Sequence, residues 1–273
     1  MFKRIVTSVI GFPLLAMIII IGGLPLKIVM IAISAIGMGE LYNAINGKQS
    51  VENIISYIFI GIYYYFIDNI TADSMIMLLS LYVIANLVCL VFFHGKIDPT
   101  HCAVNVFGFF YVGFLLSGIY LTRMHNYGQY FVWLIFICAW ACDTFAYFTG
   151  MLIGKHKLAP VLSPKKTVEG AIGGVIGAIV VAVIYGYFAY QLTAISNDEL
   201  DLIFFCAVVA GFGSIFAQLG DLTASAIKRH TGIKDYGKII PGHGGIIDRF
   251  DSVMFTAPIV YAVMRLLLRN IAG

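Results

Sequence analysis

The sequence predicts an all-α, polytopic integral membrane protein with about nine transmembrane helices and a cytoplasmic N-terminus. The first observation behind this prediction is composition: of 273 residues, 60% are hydrophobic and only 11% are charged. The mean hydropathy of +0.93 is not that of a soluble domain. The second is that the apolar residues form repeated runs near the ~20 residues that a helix needs to cross a bilayer. The third is that basic residues gather in alternate loops.

The chain opens with Lys3 and Arg4, followed by a first apolar run at residues 5–21. This start is similar to a signal peptide, but no convincing small-residue cleavage motif follows, so we expect a retained helix. The third run is short and ends in three tyrosines, which are typical of a membrane interface. The further spans are predicted at 24–45, 54–67, 75–93, 104–122, 130–153, 170–192, 200–230 and 252–268.

The distribution of charge tests this set of spans independently. If the N-terminus lies on side one, most of the 17 basic residues fall there: Lys3, Arg4, Lys48, Lys96, Lys155, Lys157, Lys165, Lys166, Lys228, Arg229, Lys234, Lys238 and Arg249. The other side receives Lys27, Arg123, Arg265 and Arg269. Because cytoplasmic loops are enriched in Lys and Arg, we expect an odd number of spans in the cell membrane and a cytoplasmic side one. The net charge of +3 suits loops that face anionic lipid and substrate, and nothing indicates nucleic acid.

The most polar stretch is 225–252, whose middle is the glycine-rich segment 241–245. Its cations can neutralise phosphate oxygens, and its carboxylates are the hard oxygen ligands that Mg²⁺ shares with substrate phosphates. Glycines let backbone N–H groups approach an anion closely. The stretch is therefore suited to a metal-bridged polyphosphate. Its polar residues include Ser225, Lys228, Arg229, Lys234, Asp235, Lys238, His243, Asp248, Arg249 and Asp251.

Carboxylates are predicted at two adjoining helix ends. A helix over 200–230 would be ~46 Å long, so its last turns would leave a ~30 Å hydrocarbon core. Asp221, Ser225 and either Lys228 or Arg229 would then share one face. Asp248 and Asp251 would similarly meet at the start of the ninth helix. The alternatives for these aspartates are metal binding, or ordinary capping and salt bridges.

A second polar region precedes the seventh span. Asp143 lies inside a predicted span, where an ionisable side chain is costly and is a functional candidate; the alternative is a packing hydrogen bond. Ser163 or Thr167 could cap the following helix, and Lys165 and Lys166 would form an anion site at its start, or would anchor the span electrostatically. The glycine spacing that follows indicates close helix packing, at Gly170, Gly173, Gly174 and Gly177.

Three features give weaker signals. Glu40 lies towards the cytoplasmic end of the second span and could snorkel or form a hydrogen bond. His243 could transfer a proton or donate to phosphate. The five cysteines have no paired spacing, so we interpret them as packing residues. No Walker loop, nucleophile elbow or other protein nucleophile paired with a base is present.

The polar stretch has the pattern S-x-x-K-R-x4-K-D-x-G-x3-P-x-H-G-G-x2-D-R-x-D, which resembles the signature of the phosphatidate cytidylyltransferases. That family also has a D-x-x-A-Y-x-x-G element, matched by Asp143, Ala146, Tyr147 and Gly150. A similar S-P-K-K-T-x-E-G run is found at 163–170. The resemblance covers the C-terminal half well, and the first ~130 residues only as generic spans. On this basis we divide the chain into residues 1–125, which hold spans 1–5, and a catalytic region at residues 126–273, which holds spans 6–9.

The resemblance implies transfer of CMP from CTP to phosphatidate, with Mg²⁺ and a second cation such as K⁺, and it suggests a homodimer. The metal residues implied are Asp221 and Asp248, with Asp251 added by its position. The catalytic set is Asp221, Asp248, Lys228, Arg229 and His243. The substrate-binding set is Asp143, Ser163, Lys165, Lys166, Ser225, Lys234, Asp235, Gly244, Gly245 and Arg249. Two alternatives are a CTP-dependent polyprenol kinase and, from another class, a transporter with Asp143 and Glu40 on an ion path.

Overall fold

The structure is a computed structural model, and it describes residues 2–47, 50–192, 199–239 and 244–271. Over these residues the chain is nearly all helical, as the sequence predicts. The helices are α1 (Phe2–Ile21), α2 (Gly23–Asn46), α3 (Asn53–Phe66), α4 (Ala72–Phe92), α5 (Pro99–Met124), α6 (Gly128–Ile153), α7 (Val168–Leu192), α8 (Glu199–Thr231) and α9 (Ile247–Ile271). Helices α5 and α6 each contain a π-helical stretch, at Phe109–Phe114 and Ile137–Ala141.

Six helices are long and apolar enough to cross a membrane, counting only the described ranges. They are α2, α4, α5, α6, α7 and the part of α8 from Leu200 to Thr231. Helix α3 is apolar but shorter, and neither α1 nor α9 is among the six. The protein is thus a multi-pass helical membrane protein. Helix α8 is continuous over 33 residues, which confirms the predicted extension beyond the length of a single span.

A short β-hairpin between α6 and α7 is the exception to the all-α prediction. Strands β1 (Lys157–Ala159) and β2 (Ser163–Thr167) pair antiparallel, with Lys157 opposite Thr167 and Ala159 opposite Ser163. No strand was predicted here, because Ser163–Thr167 contains a proline and two lysines and shows no apolar alternation. Strand β2 carries both lysines of the predicted anion site.

The chain forms two compact units. The first comprises Met1–Ser117 with Thr231–Arg249, and the second comprises Gly118–His230 with Phe250–Gly273. The polar stretch singled out in the sequence is therefore divided: Asp248 belongs to the first unit, whereas Ser225 and Asp251 belong to the second, as does Asp221. The separate grouping by role, at residues 1–125 and 126–273, stays a prediction.

In the first unit, a buried polar network joins four helices at Asn105 of α5. The Asn105 amide nitrogen donates to Asn86 Oδ1 of α4 at 3.1 Å, and Asn53 Nδ2 of α3 donates to Asn105 Oδ1 at 2.8 Å. The hydroxyls of Tyr42 in α2 and Tyr82 in α4 both donate to the Asn105 carbonyl, at 3.2 and 2.8 Å. Because these groups satisfy one another away from water, the network fixes how the helices of this unit pack.

In the second unit, α6 and α7 pack closely through glycines. A Cβ atom at Gly174 would lie 2.8 Å from the Cys142 carbonyl oxygen, and one at Gly170 would lie 2.7 Å from the Ala146 carbonyl oxygen. Only residues without a side chain allow this approach. The prediction that the glycine spacing after residue 169 serves helix packing is confirmed.

Candidate active site

The second unit contains a cavity of about 380 Å³ between α6, the hairpin, α7 and α8. One part of its wall is polar and includes Asp143, Lys165, Lys166, Gln218 and Asp221. Another part is apolar or aromatic and includes Ala146, Tyr147, Met151, Leu158 and Ala171. The structure therefore brings the predicted residues of three sequence segments, near 143, 165 and 221, into one cavity. A cavity with both surfaces suits a ligand that has a charged part and an apolar part.

Asp221 contacts two of the other predicted site residues, Lys166 and Ser225. Its carboxylate forms an ion pair with the Lys166 ammonium group of β2, and each side chain is 26% exposed. Ser225, one turn later in α8, donates from Oγ to Asp221 Oδ1 at 3.5 Å, a long contact. The predicted shared face of Asp221 and Ser225 is thus confirmed. Sequence reasoning did not identify Lys166 as the partner of Asp221.

A group of carboxylates surrounds this pair in the second unit. Asp143 of α6 and Asp251 of α9 both lie close enough to Asp221 to interact with it electrostatically. Lys166 lies near Asp143, and Lys228 lies near Asp251. Like charges this close repel one another, so the group favours bound cations. The two lysines supply part of that compensation within the protein.

Glu169 holds the hairpin at the start of α7. Its carboxylate accepts hydrogen bonds from the backbone N–H groups of Lys155, at 3.0 Å, and His156, at 3.2 Å. His156 Nδ1 lies 2.6 Å from Glu169 Oε1. In the sequence, Glu169 stands out only as a member of the family-like run at 163–170, so this role was missed. The sequence signal for this role is that Glu169 is the second residue of α7, which follows the connection from α6.

Two other contacts secure the same segment. Thr167 Oγ1 accepts from the Gly170 N–H at 3.1 Å, which confirms Thr167 as one of the two predicted caps of α7. Arg229 of α8 donates from Nε to the Leu162 carbonyl at 3.4 Å, just before β2. Gln218 was also missed: its Nε2 donates to the Ala171 carbonyl at 3.0 Å. Its spacing of three residues before Asp221 places both side chains on one face of α8.

In the first unit, Asp248 organises the segment that leads into α9. Its Oδ2 accepts from the backbone N–H groups of Tyr236, at 2.8 Å, and Gly245, at 3.0 Å. Gly244 has φ +87°, and a Cβ there would lie 2.8 Å from Asp248 Oδ2, so a glycine is required. Lys234, Asp235 and Arg249 are exposed side chains of the same unit. His243, predicted as catalytic, lies outside the described residues.

Among the described residues, no three His, Cys, Asp or Glu side chains form a ready-made metal centre. The second unit nevertheless fits Mg²⁺ chemically, because this ion binds through one or two carboxylates together with substrate phosphates and water. Asp221 and Asp251 supply hard oxygen donors that lie near each other. A site completed by substrate matches this arrangement better than a closed protein cage does.

Helices of membrane-spanning length and a cavity lined by lysines, carboxylates and apolar side chains place the chain among multi-pass membrane proteins with a site for a ligand that has charged and apolar parts. The chain matches the cytidylyltransferase family over residues 2–267 and belongs to that family. Phosphatidate cytidylyltransferase of Staphylococcus haemolyticus is 35% identical, over 94% of this chain and 96% of its own length. Phosphatidate cytidylyltransferase of Bacillus subtilis is 34% identical, over 97% of each chain. The resemblance seen in the sequence motifs is thereby confirmed over nearly the whole chain.

Proposed function

We propose that this protein is a phosphatidate cytidylyltransferase, which transfers CMP from CTP to phosphatidate in phospholipid synthesis. Its full-length similarity to relatives of that name carries the proposal. The cavity in the second unit supports it, because cationic, acidic and apolar groups converge there. Neither a lipid kinase nor a transporter is favoured by the relatives.

The chemistry explains why no protein nucleophile is needed. A phosphate oxygen of phosphatidate attacks the α-phosphorus of CTP, and the bond from that phosphorus to the oxygen bridging to the β-phosphate breaks. The products are CDP-diacylglycerol and pyrophosphate, which takes the bonding electron pair. The lipid phosphate is already anionic, so the protein has mainly to align two phosphorylated substrates and to offset their charge.

Lysines and arginines of the site serve as the phosphate ligands in this proposal. Lys165 and Lys166 line the cavity, and the Arg229 contact to Leu162 ties α8 to the hairpin that presents them. Lys228 lies near Asp251 in the same unit. Asp143 positions the polar end of the substrate. The family-like motif adds further substrate contacts at Ser163, Ser225, Lys234, Asp235, Gly244, Gly245 and Arg249, with His243 catalytic.

Asp221 and Asp251 are proposed to hold Mg²⁺, with a second cation such as K⁺, and the motif adds Asp248 as a metal ligand. When bound, Mg²⁺ offsets negative charge on the transferring and leaving phosphates. The protein's own task is to keep the carboxylates available and aligned. The ion pair with Lys166 aligns the Asp221 carboxylate at the cavity wall.

The membrane setting follows from the second substrate. The apolar part of the cavity wall, at Met151 and Leu158, suits the lipid end of phosphatidate entering sideways from the bilayer. We propose nine spans in the cell membrane, with the N-terminus and the site on the cytoplasmic side, where CTP is available. We also propose a homodimer, as the family resemblance suggests.

Pyrophosphate release by the detergent-purified protein tests this function. The assay combines CTP, phosphatidate and Mg²⁺, and omits each in turn. We expect release only when all three are present. Release of CDP in place of pyrophosphate would instead identify a kinase, and unchanged CTP with every lipid acceptor tried would contradict both enzymes.

A further inference from the structure

Glu40 of α2 forms a buried contact with the start of α9, within the first unit. Its side chain is only 5% exposed, and its Oε2 accepts from the backbone N–H of Ile247 at 3.1 Å. Ile247 is the first residue of α9, so Glu40 caps that helix from 207 residues away in sequence. The N-terminus of a helix has unpaired N–H groups and a partial positive charge, which a carboxylate stabilises. The hydrogen-bonded interpretation of Glu40 is confirmed, and the snorkelling one is wrong.

The segment before α9 is shaped around this carboxylate. A Cβ at Gly237 would lie 2.8 Å from Glu40 Cδ, and a Cβ at Gly245 would lie 2.5 Å from the same atom. Neither glycine has the positive φ that would by itself explain its identity. The two residues are therefore small because Glu40 occupies the space where their side chains would be.

Asp248 also forms hydrogen bonds with this segment. It follows Ile247 directly, and its Oδ2 accepts from Tyr236 and Gly245. Glu40 thus accepts from the first residue of α9, Asp248 is the second residue of that helix, and both carboxylates lie against Gly245. If Glu40 were lost, the first turn of α9 would lose a cap, and the segment holding Asp248 would lose the group that it packs around.

We propose that Glu40 is a positioning residue for the transfer reaction. It touches no substrate and acts through the backbone of residues 236–239 and 244–248, whose geometry sets the direction of the Asp248 carboxylate. The link to catalysis rests on the proposed function, in which Asp248 is a metal ligand. The link to the segment's geometry does not, because it depends on the Ile247 hydrogen bond and on the glycine contacts alone.

Glu40→Ala and Glu40→Gln test the proposal by hydrogen–deuterium exchange and by pyrophosphate release, each on purified full-length protein. For Glu40→Ala we expect exchange in peptides covering 234–239 and 244–250 to speed up by about tenfold, because the cap and its packing are lost. We expect kcat with saturating CTP and phosphatidate to fall by about tenfold. Glu40→Gln should stay within about threefold of the parent in both measurements, because an amide oxygen still accepts from Ile247.

Ser34→Ala is the matched control. Ser34 is fully buried on the same helix, and its Oγ lies 3.4 Å from the Tyr64 hydroxyl, within the same unit. We expect it to leave exchange at 234–250 and kcat unchanged. Parent-like exchange in Glu40→Ala would overturn the proposal. The proposal would also be overturned if Glu40→Gln lost as much kcat as Glu40→Ala but showed no faster exchange. The Glu40 charge would then affect the reaction directly and not through the backbone.

A second pair of variants keeps the test decisive if Glu40→Ala does not fold. Gly237→Ala places a methyl group against the Glu40 carboxyl, so we expect faster exchange at 234–250. Glu40→Asp shortens the side chain by one methylene and so makes room for that methyl group. The double variant Gly237→Ala/Glu40→Asp should therefore exchange more slowly than the sum of the two single-variant effects predicts. Simple additivity would contradict the proposal. A parent protein that releases no pyrophosphate would sink the proposed function and leave these exchange results standing.

Discussion

Among single residues, Asp221 takes part in several interactions of the candidate site. It faces the cavity, pairs with Lys166, accepts from Ser225 and interacts with two further carboxylates. Its motif position alone left capping and salt-bridging open as alternatives. An ion pair with Lys166 is present, so the salt-bridge alternative is partly right, and Asp143 and Asp251 add two further carboxylates nearby.

We expect Asp221→Asn to lower pyrophosphate release by at least about a hundredfold, because the amide removes both a metal-binding charge and the partner of Lys166. The side chain is 26% exposed and nearly unchanged in size, so the thermal unfolding midpoint in detergent should stay within about 4 °C of the parent. The measurement is initial rate at saturating CTP and phosphatidate.

Asp73→Asn is the control for that substitution, since Asp73 is an exposed carboxylate in the first turn of α4. It should retain the parental rate. An Asp221→Asn protein with more than about a tenth of the parental rate would remove Asp221 from the metal site.

Among the elements, the hairpin is connected to the start of α7 through one side chain, Glu169. Glu169 accepts from two backbone N–H groups of the α6–β1 connection and contacts the His156 ring. Strand β2 then carries Lys165 and Lys166 to the cavity wall. The position of the proposed phosphate ligands therefore depends on a carboxylate that does not itself line the cavity.

We expect Glu169→Ala to expose the hairpin to trypsin and to raise its cleavage rate after the lysines of 155–166 by about tenfold, because local opening becomes easier. Pyrophosphate release should fall as well. Glu169→Gln should be milder, since its amide oxygen still accepts from the backbone. The measurement is limited proteolysis with mass spectrometry of the fragments.

Asp98→Ala, in the first unit, is the matched control for Glu169→Ala. Asp98 also accepts from two backbone N–H groups, those of Thr100 and His101, and pairs with the His101 ring at 3.0 Å. It should leave cleavage of the hairpin unchanged. Equal cleavage in the parent and in Glu169→Ala would show that the hairpin is held by other contacts.

The close packing of α6 on α7 predicts that enlarging a glycine at their contact lowers the stability of the protein. Gly174→Ala should destabilise the protein by about 1–3 kcal/mol, because its Cβ would lie 2.8 Å from a backbone carbonyl that cannot move aside. The measurement is chemical denaturation in detergent. Gly61→Ala is the control, since a Cβ there meets nothing within 4 Å, and it should be neutral or slightly stabilising. Equal stability of both variants would contradict the close packing.

For the whole molecule, the proposed topology makes a prediction about access from the two sides of the membrane. All five native cysteines are buried, so labelling by an impermeant maleimide should report introduced cysteines. In intact cells we expect Asn69→Cys and Asn126→Cys to react, because both loops lie outside the cytoplasm in a nine-span protein. Lys96→Cys and Lys157→Cys should react only after lysis. Labelling of Asn69→Cys and Lys96→Cys from the same side would rule out the proposed span order.

Much of the organisation could be read from the sequence, because the signals involved are local. Apolar runs of bilayer length indicate helices irrespective of their neighbours, since every backbone polar group in lipid must be satisfied within its own segment. The cap at Thr167 and the shared face of Asp221 and Ser225 depend on spacing along one helix. The motifs likewise indicated Asp143 and Lys165 as candidates, and the cavity brings these two together.

The tertiary structure alone decided which distant groups meet. The Lys166–Asp221 ion pair, the hairpin held by Glu169 and the Glu40 contact to Ile247 leave no periodic signal in the chain. Each depends on how separate helices are packed, and packing is set by many contacts at once rather than by local propensity. The sequence therefore predicted the membrane helices and the chemistry of the site, whereas the side chains that hold that site in place became visible only through the fold.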